Sequence, residues 1–123
     1  MKVLIVEDDP FLSEMYSTKL VESGFEIDLA GDGQTALEKM TANKPDLVLL
    51  DIVLPKIDGF EVLKKMKNDQ NLRDIRVIAL TNLGQKEEVQ KGLDLGAEDY
   101  IIKAHFTPSE VVAKIREVME KKL

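Results

Sequence analysis

The 123-residue chain contains no cysteine. Disulfides and thiolate metal sites are therefore excluded, and a reducing compartment fits. Long apolar runs are missing too. A membrane span needs about 20 apolar residues, whereas Val3-Leu4-Ile5-Val6 runs straight into Glu7-Asp8-Asp9. The same run is too short for a secretory leader, so a cytoplasmic chain without an anchor is expected. Basic charge is scarce: 17 Lys and Arg stand against 23 Asp and Glu, a formal net charge of -6. Nucleic-acid backbones demand a basic footprint, so direct nucleic-acid binding is not expected, nor is contact with a membrane. The single histidine, His105, has no partner motif nearby and reads as a surface residue without catalytic duty. No Gly/Ser-rich linker or low-complexity tract divides the chain, which predicts one domain over residues 1–123.

What is present is an alternation of short apolar runs and amphipathic stretches, in a chain 44% hydrophobic and 33% charged. Val3–Val6 reads as a buried strand. Asp9 and Pro10 then form a helix start, since Asp caps well and Pro suits the first helical position. Leu12, Met15, Tyr16 and Leu20 follow at helical spacing, and Gly24 ends the helix. Residues 25–30 alternate as a strand. Asp32-Gly33 opens a second helix with Ala36, Leu37 and Met40 inward. Leu47–Leu50 is the most apolar strand and suits a central position covered on both faces. Asp58 and Glu61 are spaced as a capping box, opening a helix that carries Phe60, Leu63 and Met66. Residues 75–80 form a fourth strand, and about 86–95 a fourth helix ending at Gly96. Residues 100–102 form a fifth strand. Thr107-Pro108-Ser109-Glu110 is a second capping box, leading a stripe of Val111, Val112, Ile115, Val118 and Met119. Five strand–helix units in series predict an α/β fold: a five-stranded parallel sheet with helices on both faces and right-handed crossovers.

In open α/β sheets, ligands bind beyond the carboxyl ends of the strands. The first strand ends in Glu7-Asp8-Asp9, the third in Asp51, the fourth in Thr81-Asn82 and the fifth in Lys103. Polar groups thus mark four of five exits, while the strand bodies are apolar. Asp8, Asp9 and Asp51 held together would repel one another, and a hard divalent ion such as magnesium would relieve this. Lys103 adds a cation that can pair with a carboxylate or a phosphoryl oxygen, and Thr81 adds a hydroxyl donor. Such a set can stabilise a phosphoryl group passing onto a carboxylate. Each residue alone has a plainer explanation: Asp9 as a helix cap, Asp51 as a turn residue, Thr81 as structural, Lys103 as a solvated charge, Tyr100 as a half-buried strand aromatic. A nucleotide binder of similar architecture is disfavoured, because its phosphate loop is glycine-rich and this first loop is acidic. A phosphohydrolase would need a general acid or base for turnover, and no convincing candidate is found.

Taken together, Val3–Val6 with Glu7-Asp8-Asp9, Leu49–Pro55 around Asp51, Asp58-Gly59, Ala79-Leu80-Thr81, Gly96-Ala97 and Tyr100–Lys103 resemble the receiver family of two-component response regulators, in its single-domain, chemotaxis-regulator-like form. The resemblance spans nearly the whole chain. It implies a flavodoxin-like receiver fold with strand order 2-1-3-4-5. It implies a phosphorylation-dependent signalling switch rather than an enzyme, with Asp51 as phosphoacceptor. Asp8 and Asp9, with Asp51 and the Val53 backbone carbonyl, are implied as magnesium ligands. Thr81 and Lys103 are implied to contact the phosphoryl group, with Thr81 and Tyr100 as the switch pair. The implied partners are a histidine kinase or phosphotransfer protein, and a downstream protein target docking on the face of the fourth helix, fifth strand and fifth helix. A monomer or a phosphorylation-induced dimer is compatible. No output domain follows the last helix, so output is expected to pass through a partner unless the chain is a fragment.

Three positions depart from the family pattern. Ala104 follows Lys103 where proline is common, often after a cis bond. A cis bond before a non-proline residue costs about 2.5–4 kcal/mol, so a trans bond with a rearranged loop or a strained cis bond is expected. Asn82 follows Thr81 where a small residue is usual, and could narrow access or add a hydrogen bond. Val53, two residues past Asp51, cannot orient an attacking water, so slow self-dephosphorylation is expected. With these departures, a degenerate receiver acting only as an interaction module remains an alternative.

Overall fold

Five parallel strands form one sheet in the order β2-β1-β3-β4-β5. They are β1 Lys2–Val6, β2 Glu26–Ala30, β3 Leu47–Asp51, β4 Arg76–Thr81 and β5 Asp99–Ile102. The helices between and after them are α1 Pro10–Glu22, α2 Gly33–Ala42, α3 Gly59–Lys67, α4 Lys86–Asp94 and α5 Pro108–Glu120. The computed structural model describes residues 1–82 and 86–121. Strand order and parallel pairing agree with the sequence expectation, and so do all ten elements to within a residue or two at their ends.

Side-chain alternation splits the core into two layers. Leu4, Val6, Val48, Leu50, Val77 and Ala79 face α2, α3 and their neighbours. Val3, Ile5, Leu47, Leu49, Ile78, Leu80 and Ile101 face α1 and α5, meeting Tyr16, Leu20, Val111 and Ile115. The central strand β3 is buried at every residue, as its unbroken apolar run requires.

The helix starts are set locally. The Asp9 Oδ1 atom accepts from the Phe11 N–H at 2.9 Å, and Pro10 takes the first helical position. Asp32 caps α2 through the Thr35 N–H at 2.8 Å. A full capping box forms at α5, where Thr107 and Glu110 exchange bonds at 3.0 and 3.2 Å. At α3 only one arm forms, from the Glu61 N–H to Asp58 Oδ1 at 2.9 Å. The sequence spacing allows a box there, but Glu61 is exposed and its carboxylate is not bonded back to Asp58.

One non-glycine residue carries positive φ among the described residues: Lys56, at φ 68°. This left-handed backbone costs an L-residue roughly 1–2 kcal/mol. Its ammonium lies 3.7 Å from Asp32 Oδ2 but is largely exposed, and such pairs contribute little. Lys56→Gly is therefore expected to stabilise the fold by roughly 1 kcal/mol, net of glycine's extra unfolded-state freedom. Thermal unfolding of the two proteins checks this, and a lower midpoint for the variant would refute it.

Candidate functional site

The parity of each strand decides which side chains meet at its carboxyl end. Val3 and Ile5 face α1 and α5, so the same period of two continues to Glu7. Leu47 and Leu49 lead to Asp51, and Ile101 leads to Lys103. These three rows converge. The Lys103 Nζ atom donates to Glu7 Oε1 and to Asp51 Oδ2, both at 2.6 Å. Glu7, Asp51 and the lysine head are almost wholly buried. Glu7 is locked from behind: its backbone N–H donates to the Ala30 carbonyl at 3.0 Å, and its Oε2 atom accepts from the Asp8 N–H at 3.1 Å. The Asp51 Oδ1 atom accepts from the Val53 N–H at 3.0 Å.

Glu7, Asp8 and Asp51 can each bring a carboxylate oxygen within 4.8 Å of the others. Asp8 is exposed, so the cluster opens to solvent through it. This acidic cluster suits a hard divalent cation, which takes oxygen ligands.

Asp9 is not part of this group. Its carboxylate accepts from the Phe11 and Leu12 N–H groups and serves the start of α1. The acidic pair at the pocket is thus Glu7 and Asp8, not Asp8 and Asp9. The missed residue was legible in principle. Counting the two-residue period forward from Val3 and Ile5 selects Glu7 for the layer that Asp51 tops, while Pro10 makes Asp9 the cap.

Thr81 lies on the opposite face. It continues the row of Val77 and Ala79, pairs in register with Ile102, and is buried. Among the described residues its Oγ1 atom is buried without a hydrogen-bond partner. An orphaned buried hydroxyl costs about 1–3 kcal/mol. Tyr100 pairs with Ala79, packs against the same layer and is half-buried. The predicted residues thus divide between the two sides of one sheet edge. Asp51 and Lys103 cap one layer, while Thr81 and Tyr100 belong to the other.

The departures also have positions. The Lys103–Ala104 bond is trans, since the described residues contain no cis peptide. It opens a 3-10 turn over Lys103–His105. Of the two arrangements expected, the rearranged trans loop is the one present. Asn82 and His105 are exposed, and the Val53 side chain is 62% exposed at the rim.

Electrostatics follow from one cation serving two buried carboxylates. Burial pushes the Glu7 carboxyl up from 4.5 to about 8, the Asp51 carboxylate adds to this, and Lys103 opposes it. Burial alone would pull the Lys103 ammonium down, but its bonds to Asp51 and Glu7 outweigh that and hold it above its ordinary value. Folded Glu7 binds its proton more tightly than unfolded Glu7. The native state therefore holds more protons between these limits, and stability falls as pH rises through them. In chelator-treated protein, Glu7→Gln is expected to flatten this fall between about pH 5 and pH 8. Urea unfolding across that window checks it, and an unchanged slope would overturn it.

A doubly wound sheet with three acids and a lysine at its carboxyl edge defines a class of phosphoacceptor signalling module. The chain belongs to the response-regulator receiver family: the model of the response regulator receiver domain matches residues 3–116. The phosphate regulon transcriptional regulatory protein PhoB of Escherichia coli is 39% identical over 120 residues, covering 98% of this chain and 52% of its own. The DNA-binding dual master transcriptional regulator RpaA of Synechocystis is 37% identical, covering 98% and 49%. The chain spans about half the length of these curated relatives. Among solved structures, the BeF3-activated N-terminal receiver domain of Klebsiella pneumoniae RstA superposes with a TM-score of 0.89 at 30% identity, covering 98% and 100% of the two chains. The chemotaxis response regulator CheY4 of Vibrio cholerae gives 0.89 at 29% identity, covering 95% and 97%. Receiver domains are phosphorylation-dependent signalling switches, and this chain is one of them. Among the described residues no helix is long and apolar enough to cross a membrane.

Proposed function

We propose that residues 1–123 act as one receiver domain that takes a phosphoryl group onto Asp51 from a histidine kinase, a phosphotransfer protein or a small phosphodonor. The observation that carries this reading is the Lys103 ammonium held between Asp51 and Glu7 at 2.6 Å, beside the exposed carboxylate of Asp8. A phosphoryl donor is anionic, and acids alone would repel it. Magnesium fits the donor set, with Asp8, Asp51 and the Val53 carbonyl as ligands and Glu7 as the buried acid behind them. When bound, the ion supplies Lewis-acid charge neutralisation at the phosphoryl oxygens.

The chain's own groups do the rest. An Asp51 oxygen attacks phosphorus, and the leaving group departs with the bond's electron pair. Lys103 follows the charge onto a phosphoryl oxygen. The Thr81 hydroxyl, which has no hydrogen-bond partner among the described residues, gains an acceptor there. Its movement frees space beside Tyr100, which shares its layer. The face of α4, β5 and α5 then changes shape and presents a different surface to a downstream protein, as a monomer or a phosphorylation-induced dimer. A cytoplasmic setting suits these partners.

Intact-mass measurement tests the reading. Incubation with a small acyl phosphate is expected to add one phosphate-sized increment that requires magnesium and is lost in Asp51→Asn. No increment with any donor would favour the pure interaction module instead. The exposed Val53 side chain adds a kinetic expectation, because it offers no hydrogen bond to an incoming water. Val53→Asn is expected to lose its phosphate several-fold faster than the parent, read by the decay of the modified mass. Equal lifetimes would dismiss that role.

A further inference from the structure

Helices α1, α2, α3 and α5 each bury three or four residues against the sheet. α4 buries one, Gly92, which has no side chain to interlock. A Cβ there would stand 3.8 Å from that of Ala79, an ordinary contact. Val89 and Leu93 are half-buried, and Lys86, Glu87, Gln90, Lys91 and Asp94 are exposed. A helix with so little buried apolar surface opens locally at low free energy. Its position therefore depends on contacts outside the core.

Two lysines cross the seam between α3 and α4. The Lys91 ammonium lies over the Phe60 ring, 4.4 Å from its centroid, where the negative face of the ring attracts a cation. Phe60 packs on the α2/α3 layer, so the ring is a fixed platform. At the far end, the stem of Lys67 runs over the turn that closes α4. A Cβ on Gly96 would lie 2.6 Å from Lys67 Cε and 3.1 Å from its Cδ. The Lys67 ammonium donates to the Arg73 carbonyl at 3.1 Å. Lys67 thus holds the end of α4, and Lys91 ties its body.

The Lys91 tie also leads back to the site. Phe60 follows Gly59, and a Cβ on Gly59 would stand 2.3 Å from the Asp51 carbonyl oxygen. The peptide of Asp51 is thus in contact with the residue next to the ring on which α4 leans. This route runs through backbone contact and does not pass through Thr81 or Tyr100.

We propose that the Phe60–Lys91 contact is a latch that holds α4 in its resting register and links that register to the peptide of Asp51. Rearrangement of that peptide when Asp51 is occupied moves the ring, weakens the contact and releases α4. The link to occupancy rests on the reading of Asp51 as acceptor; the latch itself does not.

Lys91→Met keeps the stem and removes the cation. Phe60→Leu keeps an apolar side chain and removes the ring face. With no phosphoryl group present, amide hydrogen exchange across residues 86–94 is expected to rise about two- to fivefold in Lys91→Met, the range for one exposed cation–π contact. Phe60→Leu is expected to show at least that rise, and α1 and α5 to keep the parent's rates. The double variant is expected to exchange no faster than Phe60→Leu, because both changes remove one interaction. Lys91→Arg keeps a cation and is expected to keep the parent's protection. Beryllium fluoride with magnesium, a noncovalent phosphoryl mimic, tests the link. Lys91→Met is expected to bind it about two- to fivefold more tightly than the parent, because binding no longer has to release the latch. Parental exchange in Lys91→Met, or losses that simply add in the double variant, would overturn the latch. Faster exchange with unchanged beryllium fluoride affinity would overturn its link to Asp51. A parent that binds no beryllium fluoride would sink the reading of Asp51 and the link with it, and the exchange rates would still decide the latch.

Discussion

Gly59→Ala is expected to destabilise the domain by about 3 kcal/mol, at the upper end of the usual overpacking cost. A Cβ at this position would lie 2.3 Å from the Asp51 carbonyl oxygen, 2.6 Å from the Ile52 Cα and 3.0 Å from the Asp51 carbonyl carbon. All three are backbone atoms, so no flexible side chain can yield. The start of α3 would have to withdraw, stretching the bond from the Gly59 N–H to the Ile52 carbonyl, now 2.9 Å. The strain falls on the peptide that carries the proposed acceptor, so phosphorylation should slow together with the loss of stability. Gly31→Ala is the control, because a Cβ there meets nothing within 4 Å. Such a surface change normally stays within about 0.5 kcal/mol. Urea unfolding of both variants checks the contrast. Equal stability would mean that the α3 start yields at no cost.

Lys103→Met is the second large effect. It leaves Glu7 and Asp51 buried side by side with no cation between them. Removing one partner of a buried ion pair typically costs about 3–5 kcal/mol. The pair can relieve part of this by taking up a proton, since burial already favours the neutral form of Glu7. The loss should therefore be larger at about pH 8 than at about pH 5.5, where protonation is easier. Magnesium should return some of the stability at the higher pH, because a ligand that binds only the folded state stabilises it. Phosphorylation should fall on the order of a hundredfold, the usual cost of losing one preorganised donor to a developing anion. Parallel unfolding curves at both pH values, with and without magnesium, test the electrostatic account. A loss that ignores pH would point to lost packing of the lysine stem instead.

Most of the architecture follows from local pattern. The apolar run Leu47–Leu50 can be satisfied only by burial on both faces, which makes β3 central. Asp9-Pro10 and Thr107-Pro108 mark helix starts because their side chains or rings answer the needs of a first turn. The gathering of Asp51, Thr81 and Lys103 at one edge follows from parallel strands alone, since all carboxyl ends then lie together.

Other matters depended on contacts between distant segments. Glu7, Asp8 and Asp9 are chemically alike and adjacent. The two-residue period of β1 turns Glu7 inward and Pro10 makes Asp9 the cap, but only the pairing of β1 with β3 brings Glu7 beside Asp51. The Asp58 and Thr107 sequences share a capping-box spacing, yet only Glu110 turns back to its cap. The sequence by itself determined the sheet, its order through family resemblance, and the placement of Asp51, Thr81 and Lys103 at its carboxyl edge, because period and composition act over a few residues. The tertiary structure alone decided that Lys103 bridges Glu7 and Asp51, that Thr81 tops the layer opposite Lys103, and that Gly59 must lie against the Asp51 carbonyl. Each depends on which atoms meet once the chain has folded back on itself, and spacing along the chain carries no record of that.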